Sequence, residues 1–385
     1  MTDGERLLQA AVDLTPDILA VRDAIDRDCA LPLALVEKLR AAGLFHLWLP
    51  RALGGPELHP AIFLPVIEAL ARADGSVGWC ATNASVLSLL GGSLPEAGAR
   101  AIYSERGIVA GAATPTGKAT AVAGGYRVTG RWSYGTGITH SDWLGGNSVI
   151  LEDGAPRLTA AGAPEMRFMF FPKRDVQVID NWNVSGMRGT GSHDFAVTDA
   201  FVPATHTAPA FVVAPVQPGT LYRVPPMSLF TLALACVTLG IARAAIEALI
   251  ELASVKTPLG SPTLLRESPS AQSTVARAEV LVRAARAVVI EAVHSLWHEA
   301  ETADPVSLRE RAGIRIACTY CAEACARAVD LVHAASGGSA IQESGRIARC
   351  FRDIHTATQH FGLSRVQYEP SGRVLLGMDP GTLRF

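Results

Sequence analysis

The spacing of apolar positions divides the chain into three zones. Up to about Arg106 the spacing is helical. Leu35, Val36, Leu39 and Ala42 fall at i, i+1, i+4 and i+7, one face of a helix. Pro32 suits the first turn of that helix, where its missing N–H costs nothing, and Gly43 ends it before the turn Leu47-Trp48-Leu49-Pro50. A second amphipathic helix is predicted over Ile62–Arg72, closed by Ala73-Asp74-Gly75, and a third from Ser76 through Leu90.

From about Gly107 to Pro209 the pattern changes. Gly, Thr and Val become frequent, and short alternating runs sit between turn residues. Gly125–Trp132 predicts a hairpin arm after the turn Gly124-Gly125, and Arg167–Pro172 and Asp194–Val197 predict further strands. Together they predict an antiparallel barrel or sandwich. From about Pro225 long helical periods return over Ser228–Leu252, Ala271–Glu301 and Val306–Ala335, with a loop at Thr257–Pro262 and a break at Gly337-Gly338. Helices, then strands, then a helical bundle make an α+β order, not the alternation of a nucleotide-binding α/β fold. No G-x-G-x-x-G follows a strand, no P-loop is present, and Gly189-Thr190-Gly191 lies in a β context.

The bulk composition narrows the classes. The 385 residues, 49% hydrophobic and 18% charged, suffice for two or three domains and a large core. A formal net charge of -2, with basic residues scattered among acids, gives no reason to expect nucleic acid or a membrane as a partner. The start, Met1 to Arg6, is acidic and lacks an apolar segment, so no signal peptide is expected. The longest apolar stretch, Leu229 to Leu252, is interrupted by Thr231, Thr238, Arg243, Glu247 and Glu251 and reads as a buried helix of a cytoplasmic protein. Among seven cysteines, Cys318, Cys321 and Cys325 share one face of an Ala-rich helical segment. A zinc site would need a fourth ligand and usually a turn between ligands, so these read as small apolar packing and no metal is expected.

Six segments carry a resemblance, and their order gives it weight. They are Ala41–Phe45 with Pro50–Gly55; Ala73-Asp74-Gly75-Ser76-Val77-Gly78-Trp79; Ala113-Thr114-Pro115-Thr116-Gly117-Lys118-Ala119; Gly130-Arg131-Trp132-Ser133-Tyr134-Gly135-Thr136-Gly137; Gly186–Asp194 ahead of Phe201-Val202-Pro203; and Arg352-Asp353-Ile354-His355 with Gln359-His360. From about Leu31 to Leu376 the chain resembles the acyl-CoA dehydrogenase superfamily. It looks closest to the oxygenase branch, the two-component (class D) flavin-dependent monooxygenases.

The resemblance implies an N-terminal helical domain (1–106), a middle antiparallel β-barrel domain carrying flavin-ring loops (107–215), and a C-terminal four-helix bundle for oligomerisation and flavin contacts (216–385). It implies FAD, with FMN as the alternative. A flavin ring needs flat apolar surfaces and backbone groups at its edges. The loops Pro115–Ala119 and Trp132–Gly137 offer small residues for close approach and hydroxyls at Thr116, Ser133 and Thr136. Pro115, Gly117, Trp132, Ser133, Thr136 and Gly137 are thus implied ring-binding residues, with core packing the alternative for Trp132. The pyrophosphate wants Arg and Gly-rich turns. The resemblance implies Arg266, with Gln272, and the turn Ser336-Gly337-Gly338-Ser339, partly from a neighbouring subunit and hence in a homotetramer. An exposed loop arginine is the alternative for Arg266.

The functional fork is the base. Acyl-CoA dehydrogenases use a Glu, commonly in a Tyr-Glu-Gly motif soon after the Arg-Asp pair. Here Tyr368-Glu369-Pro370 lies well beyond that spacing from Asp353, and Glu369 reads as structural. His360 follows the Arg-Asp helix at useful distance. In the oxygenase branch a His there deprotonates a phenol or indole-like nucleophile, or stabilises the flavin C4a-hydroperoxide. An ordinary His pKa of about 6.5 suits proton transfer; a His satisfied in a helix interface is the other reading. Thr136 takes the branch's usual Ser position as a second catalytic candidate, its hydroxyl bonding flavin N5 or the peroxide, although Gly135 ahead of it departs from the pattern. Trp79 and Asn83 are candidate substrate contacts, and His140 and His193 candidate rim residues. The implied reaction takes reduced flavin from a separate NAD(P)H flavin reductase and passes one oxygen of O2 to an aromatic or other electron-rich small molecule, CoA thioesters included. The alternatives are an acyl-CoA dehydrogenase or oxidase that abstracts an α proton and passes hydride to FAD, and a flavin-binding fold kept for a non-catalytic role.

Overall fold

The computed structural model describes residues 1–160, 162–210, 216–382 and 385. Six helices open the chain: α1 (Asp3–Asp13), α2 (Thr15–Asp28), α3 (Leu33–Ala42), α4 (Pro60–Ala73), α5 (Gly75–Ser88) and α6 (Glu96–Tyr103). Helix α3 begins after Pro32 and stops at Gly43, whose φ of +81° is the left-handed conformation that ends helices. Asp74 separates α4 from α5. Its carboxylate accepts from the Ser76 and Val77 N–H groups at 2.9 and 3.2 Å and caps α5.

Eight strands follow: β1 (Val109–Val122), β2 (Gly125–Trp132), β3 (Trp143–Glu152), β4 (Ala155–Pro156), β5 (Met166–Pro172), β6 (Gln177–Ile179), β7 (Asp194–Pro203) and β8 (Thr207–Pro209). Their order is β6-β7-β2-β1-β3-β5-β8, with β4 paired to β3. The expected antiparallel β-barrel is therefore corrected to an open, mixed sheet, because β1 and β3 run parallel and, among the described residues, the edges β6 and β8 do not pair. The reason lies in the connection. β2 turns back antiparallel to β1, so its end lies near the start of β1. Residues 133–142 cross that end, and β3 enters at Trp143 opposite Val109, in the same direction as β1.

The remaining helices are α7 (Pro226–Val255), α8 (Pro269–Thr302), α9 (Leu308–Ser336), α10 (Arg346–Ala357) and α11 (Tyr368–Leu375). α8 packs on α9, and α7 packs on α9, α10 and α4. The domain boundary expected at 215 falls at residues 211–215, outside the described residues. Among the described residues one helix, α7, is long and apolar enough to cross a membrane by composition, and in the fold it is packed inside the protein. Cys318, Cys321 and Cys325 face Cys236 and Thr238 across the α7–α9 seam, all buried.

Helices from both ends of the chain share one core, running from Leu7 to Leu363, and the sheet has its own. The first is close enough to demand glycine. A Cβ on Gly240 of α7 would stand 2.5 Å from the Glu68 carbonyl oxygen of α4.

Candidate active site

A cavity of about 1050 Å3 opens where the sheet meets the two helical layers. α5 supplies Trp79 and Asn83. β1 supplies Gly111 to Thr114, and the turn after β2 supplies Ser133, Tyr134 and Thr136. The segment before β7 supplies Trp182, Met187, Thr190 and Ser192. α7 adds Met227 and Phe230, and α10 with its following turn adds Phe351, Arg352, His355, Gln359, His360 and Phe361. Five residues singled out in the sequence thus converge: Trp79, Asn83, Ser133, Thr136 and His360.

The others lie behind or outside it. The indole of Trp132 is fully buried in the sheet core, stacked on Phe195 at 5.1 Å, and its Nε1–H donates to the Asn147 carbonyl at 2.7 Å. The ring expected against the flavin is therefore committed to the core, because β2 turns it inward. Gly117 makes room for it, since a Cβ there would stand 2.3 Å from the Trp132 ring. Beside Gly117 the pairing of β1 with β3 shifts: Ala112 faces Gly146 and Gly117 faces Ser148, so residues 113–116, Pro115 among them, bulge out against Asn147. Ala113 and Thr114 of this bulge reach the cavity, whereas the Thr116 hydroxyl donates to the Arg131 carbonyl. Gly137, at φ +75°, holds the 133–137 turn against the segment before β7 through its N–H to the Thr190 carbonyl, at 2.8 Å.

Arg266, Gly337 and Gly338 are exposed and do not line the cavity. They share one surface region. Gln272 donates to the Arg266 carbonyl at 3.1 Å, the adjacent Leu265 N–H bonds the Lys256 carbonyl, and Lys256 Nζ reaches the Ser336 carbonyl at 2.7 Å and Ser339 Oγ at 2.9 Å. Neither His140 nor His193 lines the cavity. His193 Nδ1 instead accepts from the Asn181 and Trp182 N–H groups, which holds the loop that carries Trp182.

His360 follows α10, with its ring edge-on to Phe230 at 5.2 Å and to Trp79 at 5.9 Å. Burial lowers its pKa to about 4, so the ring is neutral near pH 7. Its Nδ1 accepts the Gly362 N–H at 3.1 Å. A neutral imidazole whose Nδ1 accepts carries its proton on Nε2. The remaining polar group of His360 is thus a donor, which changes the expectation of a base titrating near neutrality.

No aspartate or glutamate lines the cavity among the described residues, and Glu369 is exposed at the start of α11. Two buried carboxylates lie just behind the wall. Asp353 Oδ1 accepts the Met187 N–H at 2.6 Å. Burial and the neighbouring Asp74 raise its pKa to about 7, and burial raises Asp74 to about 6 against the pull of Arg349. Tyr134, Trp182, Met187, Phe230 and Arg352 were missed as wall residues. Thr190 and Ser192 stood inside the quoted Gly186–Asp194 segment without a chemical reading.

Two family models match: "Acyl-CoA dehydrogenase, N-terminal domain" over residues 3–98 and "Acyl-CoA dehydrogenase, C-terminal domain" over residues 232–365. The chain is 31% identical to an indole-3-acetate monooxygenase of Pseudomonas putida, over 92% of this chain and 90% of the relative. It is 26% identical to the oxygenase component of an FADH2-dependent resorcinol hydroxylase of Rhizobium sp., over 91% and 89% of the two chains. Its fold matches XiaF from Streptomyces sp., solved in complex with FADH2 and glycerol, with a TM-score of 0.90, 27% identity and coverage of 98% and 97%.

Proposed function

The chain belongs to the acyl-CoA dehydrogenase superfamily, in its flavin-dependent monooxygenase branch, and on that premise we propose that it is the oxygenase component of a two-component system that oxygenates an aromatic small molecule with reduced FAD and O2. One observation carries the choice over dehydrogenation. Among the described residues the cavity has no carboxylate to abstract an α proton, and the turn after the Arg-Asp helix presents a neutral, proton-donating His360.

The residues fit a flavin ring. The bulge at Ala113 and Thr114 and the hydroxyls of Ser133 and Thr136 offer polar edges, and the opposite walls are aromatic. Bound reduced flavin supplies the electrons and the centre at which oxygen is activated. The chain's own work is positioning and exclusion. Trp79 and Phe230 set their rings edge-on to His360 and give it an apolar surround. The His360 Nε2–H donates to an oxygen lone pair and orients the reacting edge. Arg352 is the cationic lining residue among the described residues, with Asp26 at 3.2 Å, and His355 Nε2 lies 2.9 Å from Asp330 Oδ1. This wall favours neutral or anionic aromatic substrates over cationic ones. The indole and phenol substrates in the names of the relatives belong to that class.

The reduced flavin comes from a separate NAD(P)H flavin reductase, because the chain carries no dinucleotide fingerprint. The tail of the flavin lies at Arg266 and Gly337-Gly338, completed by a neighbouring subunit of a homotetramer. The exposed α8 stripe of Ala276, Val280, Ala284, Ala287 and Val288 supports that assembly. Supplied with FADH2, O2 and an indole or phenol, the protein forms hydroxylated product. Reduction of a dye by an acyl-CoA without any reductase would overturn the proposal.

A further inference from the structure

Beside the cavity, three hydrogen bonds run in series through the 133–137 turn and the segment before β7. Thr136 Oγ1 lies 3.0 Å from Ser192 Oγ, Ser192 Oγ lies 2.8 Å from Thr190 Oγ1, and Thr190 Oγ1 lies 2.8 Å from the Met187 carbonyl oxygen. The Met187 N–H, on the preceding peptide, donates to Asp353 Oδ1 at 2.6 Å and anchors the same residue. The three hydroxyl residues are 8%, 4% and 1% exposed for Thr136, Ser192 and Thr190, so bulk water is a poor competitor for these bonds.

The direction of the series follows from counting protons. A hydroxyl carries one. A carbonyl oxygen only accepts, so Thr190 spends its proton on Met187. Ser192 must then donate to Thr190, and Thr136 must donate to Ser192. What Thr136 can offer the cavity is a lone pair and no proton.

We propose that Thr190 and Ser192 are positioning residues that turn the Thr136 hydroxyl into a fixed acceptor, so that the site selects the reduced flavin ring over the oxidised one. The inference rests on the flavin-binding function above, with Thr136 at the N5 edge. Reduced flavin carries N5–H, a donor that meets the Thr136 lone pair. Oxidised flavin presents an N5 lone pair, which meets another lone pair. Selection at this edge keeps spent, oxidised flavin from occupying the site against the incoming reduced form.

The test is a ratio of dissociation constants, for FAD in air and FADH2 under anaerobic conditions, in the full-length protein. Ser192→Ala releases the Thr136 proton toward N5. The ratio Kd(FAD)/Kd(FADH2) falls roughly threefold to tenfold, the worth of one hydrogen bond, mostly through tighter FAD binding. Thr190→Val, which keeps the volume, frees the Ser192 proton to turn toward Thr136 and moves the ratio the same way. It decides the matter alone if Ser192→Ala does not fold. Ser192→Thr and Thr190→Ser retain the wild-type ratio, and Ser192→Ala has no effect in a Thr136→Val background. A wild-type ratio in both Ser192→Ala and Thr190→Val overturns the proposal, as does an equal effect of Ser192→Ala with Thr136 absent. Binding of neither flavin form is a separate result and overturns the flavin function itself.

Discussion

At the end proposed to hold the flavin ring, Thr136, Ser192 and Thr190 are buried and bonded in series, and His360 is held by the Gly362 N–H. At the end proposed to hold the tail, Arg266, Gly337 and Gly338 stand in solvent, joined through Lys256 and its neighbours. In that proposal a single chain finishes the first and leaves the second open. The difference separates two tasks. Chemistry at the ring needs groups whose direction is set before the ligand arrives. Capture of the tail needs charge and exposed backbone, which a second subunit can complete.

The largest effect tests how far the ring end depends on the sheet core. Trp132→Ala removes a fully buried indole and costs about 3–5 kcal/mol in chemical denaturation. Arg266→Ala, on the surface, stays within about 0.5 kcal/mol of wild type. Equal losses would break the comparison.

Next comes Asp353, behind the cavity wall. Asp353→Ala strands the Met187 N–H and costs about 1–3 kcal/mol, whereas Asp353→Asn keeps an acceptor. Folding raises the Asp353 pKa from 3.8 to about 7, so this group opposes folding increasingly as pH rises from about 4 to about 7. Thermal unfolding of Asp353→Asn therefore gains on wild type across that window and exceeds it at pH 8. A difference that does not change with pH would refute the assignment. His360 has the opposite sign. Its lowered pKa withdraws stability as pH falls from about 6.5 toward 4.

Smaller effects separate the tail from the ring. Arg266→Ala weakens FAD about tenfold, the scale of one charged hydrogen bond, and leaves riboflavin binding unchanged. Val280→Asp with Val288→Asp places charge on the α8 stripe. The expected outcome is a smaller species by sedimentation, with FAD binding weakened no further than by Arg266→Ala. A monomer that binds FAD as well as wild type would show that one chain completes both ends.

Much of the scaffold was legible because it repeats a simple period. β2 occupies Gly125–Trp132 as alternation predicts, and the three long helices start and stop within three residues of the predicted spans. β1 was not legible: Ala, Gly and Thr dominate its fourteen residues, so its alternation is weak. Its parallel pairing with β3 depends on a connection whose path no local pattern records. Convergence of Trp79, Thr136 and His360 was readable only through the resemblance. The direction of the Thr136 hydroxyl needed distances, since three hydroxyls in sequence carry no sign. The Trp132 ring misled because its neighbours do approach the cavity, and the inward face of β2 shows only in the pairing.

The most direct measurement supplies FADH2 from a flavin reductase, an indole or phenol substrate, and isotopically labelled dioxygen in ordinary water, then weighs the product. One labelled oxygen atom in the product is expected of a ring site that activates O2 beside His360. Unlabelled product, or a product that has lost two hydrogens and gained no oxygen, would contradict oxygenase function and return the chain to dehydrogenation.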